Sequence, residues 1–283
     1  MHRDIIMEKI KVALAKAKLK SSDVNKTSKT TDKQLNTAEK SYSSSADDIG
    51  NITYTQTSII MLDSTHLEKN RIVAHLENDV NSAIFDSLRT QILQKMEENN
   101  WQTLAVVSPT PESGKTVVSI NLAISIAQQQ QKTVILVDFD LRRPKVSTYL
   151  GLHIEKSMNE YLIDKAELRD VMINPGIQRL VVVPTAKAVA KSAEMLSSKK
   201  VTSLIQELKG RYESRVVVFD SPPVLYTDDA IVLFKHVDCV LLVIAEGMST
   251  EAEIEETFYH LPKEKLLGVV INKADTEPKS YYY

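Results

Sequence analysis

The sequence predicts an α/β fold, with a mostly parallel, doubly wound sheet, on two observations. First, near-continuous Val/Ile/Leu runs at 104–107, 134–137, 180–183, 216–219, 240–244 and 267–271 alternate with helical stretches at 116–130, 195–212, 229–235 and 250–260. Runs that are apolar without alternation belong to strands covered on both faces, as in parallel sheets. Second, polar motifs follow several of these runs, and ligands on such sheets bind at the C-terminal strand ends.

In chain order, residues 1–20 read as a basic amphipathic helix. Ile6, Ile10, Ala13, Leu14 and Ala17 share one face, with Lys9, Lys16 and Lys20 elsewhere. It either packs on a partner or lies at an anionic membrane; the lack of a bulky aromatic anchor favours the partner. Residues 21–80 read as a largely disordered linker or tether, because Ser, Thr, Asn, Asp and Lys cannot bury enough surface to offset ordering entropy. Within it, apolar content returns at Ile59, Ile60, Met61 and Leu62, as an edge strand or a tether lying on the domain. The folded domain is expected over 81–276, opened by a helix carrying Phe85, Leu88, Ile92 and Met96 and ending near Asn100. Residues 277–283 form a tyrosine tail.

Composition narrows the function classes. A net charge of −2 gives no global attraction to nucleic acid, so none is expected as a partner. Cys239 is the only cysteine, which excludes an internal disulfide or a cysteine-based zinc cluster, and it reads as a buried small hydrophobe. Neither a secretory signal nor an apolar run of spanning length is visible, so a cytoplasmic chain is expected, peripheral at the membrane through a partner.

The chemistry starts at Pro109-Thr-Pro-Glu-Ser113-Gly114-Lys115-Thr116, a tight turn between an apolar run and a helix. This is the layout of a nucleotide phosphate loop, with Pro109 in place of the usual first glycine. Backbone N–H groups from Ser113 to Val117 face the phosphates, Lys115 reaches the β and γ oxygens, and the Thr116 hydroxyl ligates Mg²⁺. After the run 134–137 come Asp138 and Asp140, two carboxylates at i and i+2, then Arg142 and Arg143. Carboxylates suit a hard cation, and one of them can accept a hydroxyl proton. A third acid, Asp220, ends the run 216–219 in the manner of a Walker B aspartate holding Mg²⁺. Asn272 ends the last run, where an amide suits an adenine edge as well as it suits a turn. The chain closes on Tyr281, Tyr282 and Tyr283, which bury little at a terminus and present phenols as acceptors or as a docking peptide.

With these residues in place, the chain resembles the bacterial tyrosine autokinases (BY-kinases) of the CpsD/CapB type, P-loop NTPases of the Min/Par-like fold active in capsule and exopolysaccharide synthesis. The likeness rests on the proline-containing phosphate loop, Val137-Asp-Phe-Asp-Leu-Arg-Arg-Pro144, Phe219-Asp-Ser-Pro-Pro-Val224, Ser192-Ala-Glu-Met-Leu196, Asn272 and the terminal tyrosines. It implies ATP and Mg²⁺ as cofactors, with Lys115 and Thr116 on phosphate and metal. Asp138, Asp140 and Asp220 become the acidic catalytic and metal residues, and Tyr281, Tyr282 and Tyr283 the autophosphorylated cluster. It also implies a transmembrane polysaccharide co-polymerase as activator, phosphorylation of the tail in trans, and a homo-oligomer. The family's Glu-x-x-Arg-x-x-Arg oligomerisation helix keeps only Arg89 here, at 83–89, which weakens the ring contact. Two other functions fit the motifs: a Min/Par-like switch ATPase, whose signature lysine would stand where Thr110 does, and a nucleotide-binding scaffold for a membrane export partner.

Overall fold

The structure is a computed structural model that describes residues 58–77, 79–210 and 214–274; the expected helix over 1–20 and the tyrosine tail lie outside them. Strand β2 (Thr103–Val107) shows how the apolar runs fold. Its Ala105 and Val107 enter one buried cluster, and its Leu104 and Val106 enter another. The strands β3 (Thr133–Asp138) and β6 (Arg215–Asp220) divide in the same way, Val137 and Phe219 to one side, Leu136 and Val218 to the other. Successive side chains point to opposite faces, so a strand covered on both faces must be apolar throughout.

Eight strands form one sheet in the order β1-β4-β5-β3-β6-β2-β7-β8. The others are β1 (Ser58–Ile59), β4 (Ile173–Asn174), β5 (Leu180–Val183), β7 (Cys239–Ala245) and β8 (Leu266–Asn272). All pairs are parallel except β4 with β5. One face is covered by α1 (Ser64–Lys69), α2 (Val80–Glu98), α3 (Lys115–Ala127) and α4 (Val146–Leu150). The other is covered by α5 (Met158–Leu162), α6 (Ser192–Leu196), α7 (Lys199–Gly210), α8 (Asp229–Phe234) and α9 (Glu251–His260). The doubly wound, mostly parallel architecture is therefore present, with β2, β3 and β6 side by side at its centre.

Two local outcomes differ from the sequence expectation. The single helix expected over 195–212 is broken between α6 and α7. Ser197 Oγ turns back on the Ala193 carbonyl at 2.8 Å, and Ser198 Oγ accepts from the Val201 N–H at 3.3 Å. Serine hydroxyls offer the backbone such alternatives to helix continuation. Part of the stretch expected as a linker is packed: Leu67, Ile72 and Ala74 are buried beneath α1 and the turn after it. Asp63 caps α1 by accepting from the Thr65 N–H at 2.9 Å. Asn121 on α3 then fastens the turn, its Oδ1 accepting from Val73 N–H (2.7 Å) and Ala74 N–H (2.9 Å).

Candidate active site

The turn from β2 into α3 is shaped by where its carbonyls go. Ser108 and Ser113 hydroxyls both donate to the Thr110 carbonyl, at 2.8 and 2.9 Å. The Ser108 and Pro109 carbonyls accept from Val224 and Leu225 N–H groups (2.9 and 3.2 Å), so the segment after Pro223 buttresses the loop. Asn272 Nδ2 donates to the Ser113 carbonyl at 2.9 Å. With the carbonyls tied down, the N–H groups of Glu112, Ser113 and Gly114 have no protein acceptor among the described residues. Gly114, at φ +84°, opens α3, and a Cβ there would run into the Asn272 side chain. The result is a ring of free donors at the positive end of a 13-residue helix, the architecture of an anion cradle.

Around it the acids assemble from two neighbouring strands. Asp138 and Asp220 sit opposite one another in the β3–β6 register. Thr116 Oγ1 donates to Asp220 Oδ2 at 2.7 Å, and Ser119 Oγ to Asp220 Oδ1 at 3.0 Å. Lys115 Nζ reaches Asp140 Oδ2 at 2.9 Å, while Asp140 Oδ1 accepts from the Arg143 N–H at 3.0 Å. Asp138 Oδ2 accepts from the N–H groups of Lys145 (3.1 Å) and Val146 (3.0 Å), but its Oδ1 is buried without a partner. Burial, then the neighbouring Asp220 carboxylate, push Asp138 well above the ordinary aspartate range. Burial likewise raises Asp220, although Lys115 opposes the rise. For Lys115 burial works against the charge, but Asp220 and Asp140 outweigh it and hold the ammonium above its usual pKa.

Lys115, Thr116 and Asp140 face a cleft of about 1150 Å³ that also admits Val117, Arg142, Asn272 and Tyr226, with Asp138 and Asp220 buried behind its lining. Arg142 is drawn to one wall: its Nε donates to Ser192 Oγ at 3.0 Å and lies 3.4 Å from the fully buried Asp229 carboxylate. Asn272 turns toward the loop through Ser113, and the Ser113 hydroxyl is spent inside the loop itself. The motif thus brings Lys115, Thr116, Asp138, Asp140 and Asp220 together, while Arg142 stands aside.

The donor set fits a nucleotide-borne Mg²⁺. Among the described residues no three acidic, His or Cys side chains form a ready-made metal cage. Mg²⁺ prefers one or two carboxylates plus phosphate oxygens and waters over such a cage. Thr116 Oγ1, Asp220 and the unpartnered Asp138 Oδ1 offer that incomplete set.

Several contributors escaped the motif search. Ser119 follows Thr116 by three positions on one helix face, a spacing that could have marked it. Ser192 and Asp229 act through Arg142 from far along the chain, and no local pattern announces them. Arg89, the remnant of the oligomerisation motif, faces inward: Nη1 donates to Asp86 Oδ1 (2.8 Å) and to the Ser125 carbonyl (3.0 Å). No helix among the described residues is long and apolar enough to cross a membrane.

Comparison with known proteins places these features in company. The family described as AAA domain matches residues 102–258, more than half of the chain. Tyrosine-protein kinase YwqD of Bacillus subtilis is 29% identical over 220 residues, covering 77% of this chain and 92% of that protein. The putative tyrosine-protein kinase CapB of Staphylococcus aureus is 29% identical, covering 70% and 87%. Tyrosine-protein kinase etk of Escherichia coli is 32% identical, but the chain spans only 30% of its length. The solved kinase domain of that protein superposes with a TM-score of 0.64 at 27% identity, over 80% of this chain and 94% of that one. The chimerical protein CapA2B2 (TM-score 0.67, 24% identity, 77% and 94% covered) and the cell division ATPase MinD of Pyrococcus furiosus (0.52, 23%, 62% and 74%) share the fold.

Proposed function

Because the chain belongs to the bacterial tyrosine-kinase family, built on the AAA domain, we propose that its cleft transfers the γ-phosphoryl group of ATP to tyrosines of its own tail. The chain is an ATP-dependent protein-tyrosine kinase of the capsule and exopolysaccharide class. One observation carries the assignment of roles: Lys115, Thr116 and three acids from β3 and β6 meet at one helix N-terminus.

The loop N–H groups and Lys115 hold the β and γ phosphates, which requires Lys115 to exchange Asp140 for phosphate oxygens. Thr116, Asp138 and Asp220 would hold Mg²⁺, which when bound would supply positive charge to the transferring group. Asp140, freed of Lys115 and at the cleft wall, orients the tyrosine hydroxyl and takes its proton as the phenol oxygen bonds to the γ-phosphorus and ADP departs. Arg142 serves from the Ser192–Asp229 wall as a second cation for the γ oxygens, and Asn272 meets the base. Catalysis of this kind is mostly positioning and charge. Tyr281, Tyr282 and Tyr283 are the acceptors, delivered by a second copy, with a transmembrane polysaccharide co-polymerase as activator and the enzyme peripheral at the inner membrane face.

The test is incubation of the full chain with Mg-ATP and activator, followed by mass spectrometry of the C-terminal peptide. Phosphate on residues 281–283 in the wild type and none in Lys115→Ala is expected. Hydrolysis of ATP with an unmodified tail would instead support the switch-ATPase reading, against which Thr110 stands in place of the signature lysine.

A further inference from the structure

The cleft has a cationic wall that the phosphate loop does not account for. Lys69 and Arg71, from the turn after α1, and Arg143 and Lys145, from the segment after β3, line one rim of it. None of the four side chains has a carboxylate partner among the described residues. Deeper in the site the cations are paired, Lys115 with Asp140 and Arg142 with Asp229, while Lys273, on the far side, meets only Met248 Sδ. A chain of net charge −2 has concentrated uncompensated positive charge at one place.

The placement of Arg71 is built, not incidental. Arg71 N–H donates to the Glu68 carbonyl (2.8 Å) and Ile72 N–H to the Leu67 carbonyl (2.9 Å), the paired bonds that close a helix C-terminus. That closure puts Arg71 at φ +60°, the left-handed position usually given to glycine. An arginine there strains the backbone, because its Cβ crowds the following carbonyl oxygen. The fully buried Asn121 then spends its whole side chain on the local backbone: Nδ2 donates to the Arg71 carbonyl (3.0 Å) and the Val117 carbonyl (2.8 Å), and Oδ1 accepts from the Val73 and Ala74 N–H groups. His66 joins α1 to α4 through the Thr148 carbonyl at 2.9 Å, which keeps this turn beside Lys145. The phosphate-loop helix thus carries a clamp for a strained, cationic turn.

The rim lies on the wrong side for the nucleotide. Asn272 ends β8, on one side of the phosphate loop, and β3, which leads to Arg143 and Lys145, ends on the other. Three strands, β6, β2 and β7, stand between them, so the two ends are on the order of 19 Å apart at ordinary strand spacing. A nucleotide running from the loop toward Asn272 leaves the β3 side open to the acceptor.

We propose that Lys69, Arg71, Arg143 and Lys145 form a phosphotyrosine-binding subsite that takes the already phosphorylated C-terminal segment of this chain, so that one modification favours the next. The inference rests on the kinase reading above. The segment 275–283 carries three adjacent tyrosines besides Asp275 and Glu277. Each phosphate adds about 1.5–2 negative charges and three strong acceptor oxygens, the chemistry that arginine and lysine clusters recognise. While one phosphotyrosine rests on the rim, a neighbouring tyrosine lies within a residue or two of Asp140.

Fluorescent peptides of sequence 275–283, unmodified or phosphorylated on Tyr283, test this by anisotropy against the full chain. The phosphopeptide should bind about tenfold more tightly at low salt, and less so as salt screens the pair. The double variant Lys69→Glu/Arg71→Glu should erase that preference while a fluorescent ATP analogue binds as before. Arg71→Gly separates binding from folding: it relieves the left-handed strain, so it should raise the melting temperature yet weaken the phosphopeptide several-fold. Equal binding of the two peptides by the wild type overturns the proposal, as does a preference that survives charge reversal. Parallel loss of the ATP analogue assigns the rim to the nucleotide and overturns it too. Failure of tail phosphorylation in Mg-ATP refutes the kinase reading, and the anisotropy result is read independently of it.

Discussion

Asp138→Asn should make this protein more stable and inactive at once. The buried carboxylate keeps Oδ2 on two backbone N–H groups and leaves Oδ1 with no partner, on a residue paired in register with Asp220. An amide retains the oxygen acceptor for Lys145 and Val146, and it replaces the orphan oxygen with a neutral group beside the Asp220 charge. A buried unsatisfied polar atom costs about 1–3 kcal/mol, and that is the expected gain. With a urea slope near 3 kcal/mol/M, the midpoint should rise by roughly 0.3–1 M. The sign with pH follows from the raised Asp138 pKa. A carboxyl that binds its proton more tightly folded than unfolded adds stability below the ordinary aspartate range, and that contribution is lost as pH rises through its raised value. The wild type should therefore weaken from about pH 4 upward relative to the variant, whose profile is flatter. Tail phosphorylation should fall by at least about a hundredfold, because a metal ligand is gone. Equilibrium urea titrations across pH, beside phosphate-transfer assays, read both effects. A variant that is less stable at neutral pH, or that still phosphorylates its tail at the wild-type rate, would refute the reasoning.

Three further perturbations follow from the same geometry. Gly114→Ala forces a Cβ into Asn272 at φ +84°, so nucleotide affinity in a fluorescence titration should drop at least about tenfold. Arg89→Ala removes the bonds to Asp86 and Ser125; calorimetry should show a loss of about 1–2 kcal/mol, with the oligomeric state by light scattering unchanged. Asp238 accepts from Gln102 and Thr103 N–H groups and from Lys209; burial opposes its charge, but these partners hold its pKa below the usual range. Its stabilisation is present above the unfolded aspartate pKa and is lost as pH falls through the depressed folded value. Asp238→Asn should accordingly cost about 1–3 kcal/mol at pH 7 and blunt acid unfolding below about pH 4, measured by circular dichroism.

The six apolar runs that mark β2, β3, β5, β6, β7 and β8 were legible because burial on both faces leaves a compositional trace in consecutive residues. β1 and β4 left none, being two residues long, and two residues have no period. The break between α6 and α7 hides in an ordinary Ser-Ser pair, whose hydroxyls decide for or against the helix only once the flanking carbonyls are in place.

The primary structure by itself determined the strand-turn-helix that carries Lys115 and Thr116 and the acids at two strand ends, since each depends on neighbours a few positions away. Tertiary structure alone decided that Arg142 turns to Ser192 and Asp229, 50 and 87 positions onward, and that Asn121 clamps Arg71, 50 positions back. Those contacts are chosen by which helix packs over which strand, and side-chain bonds across such distances follow no local period from which they could be foretold.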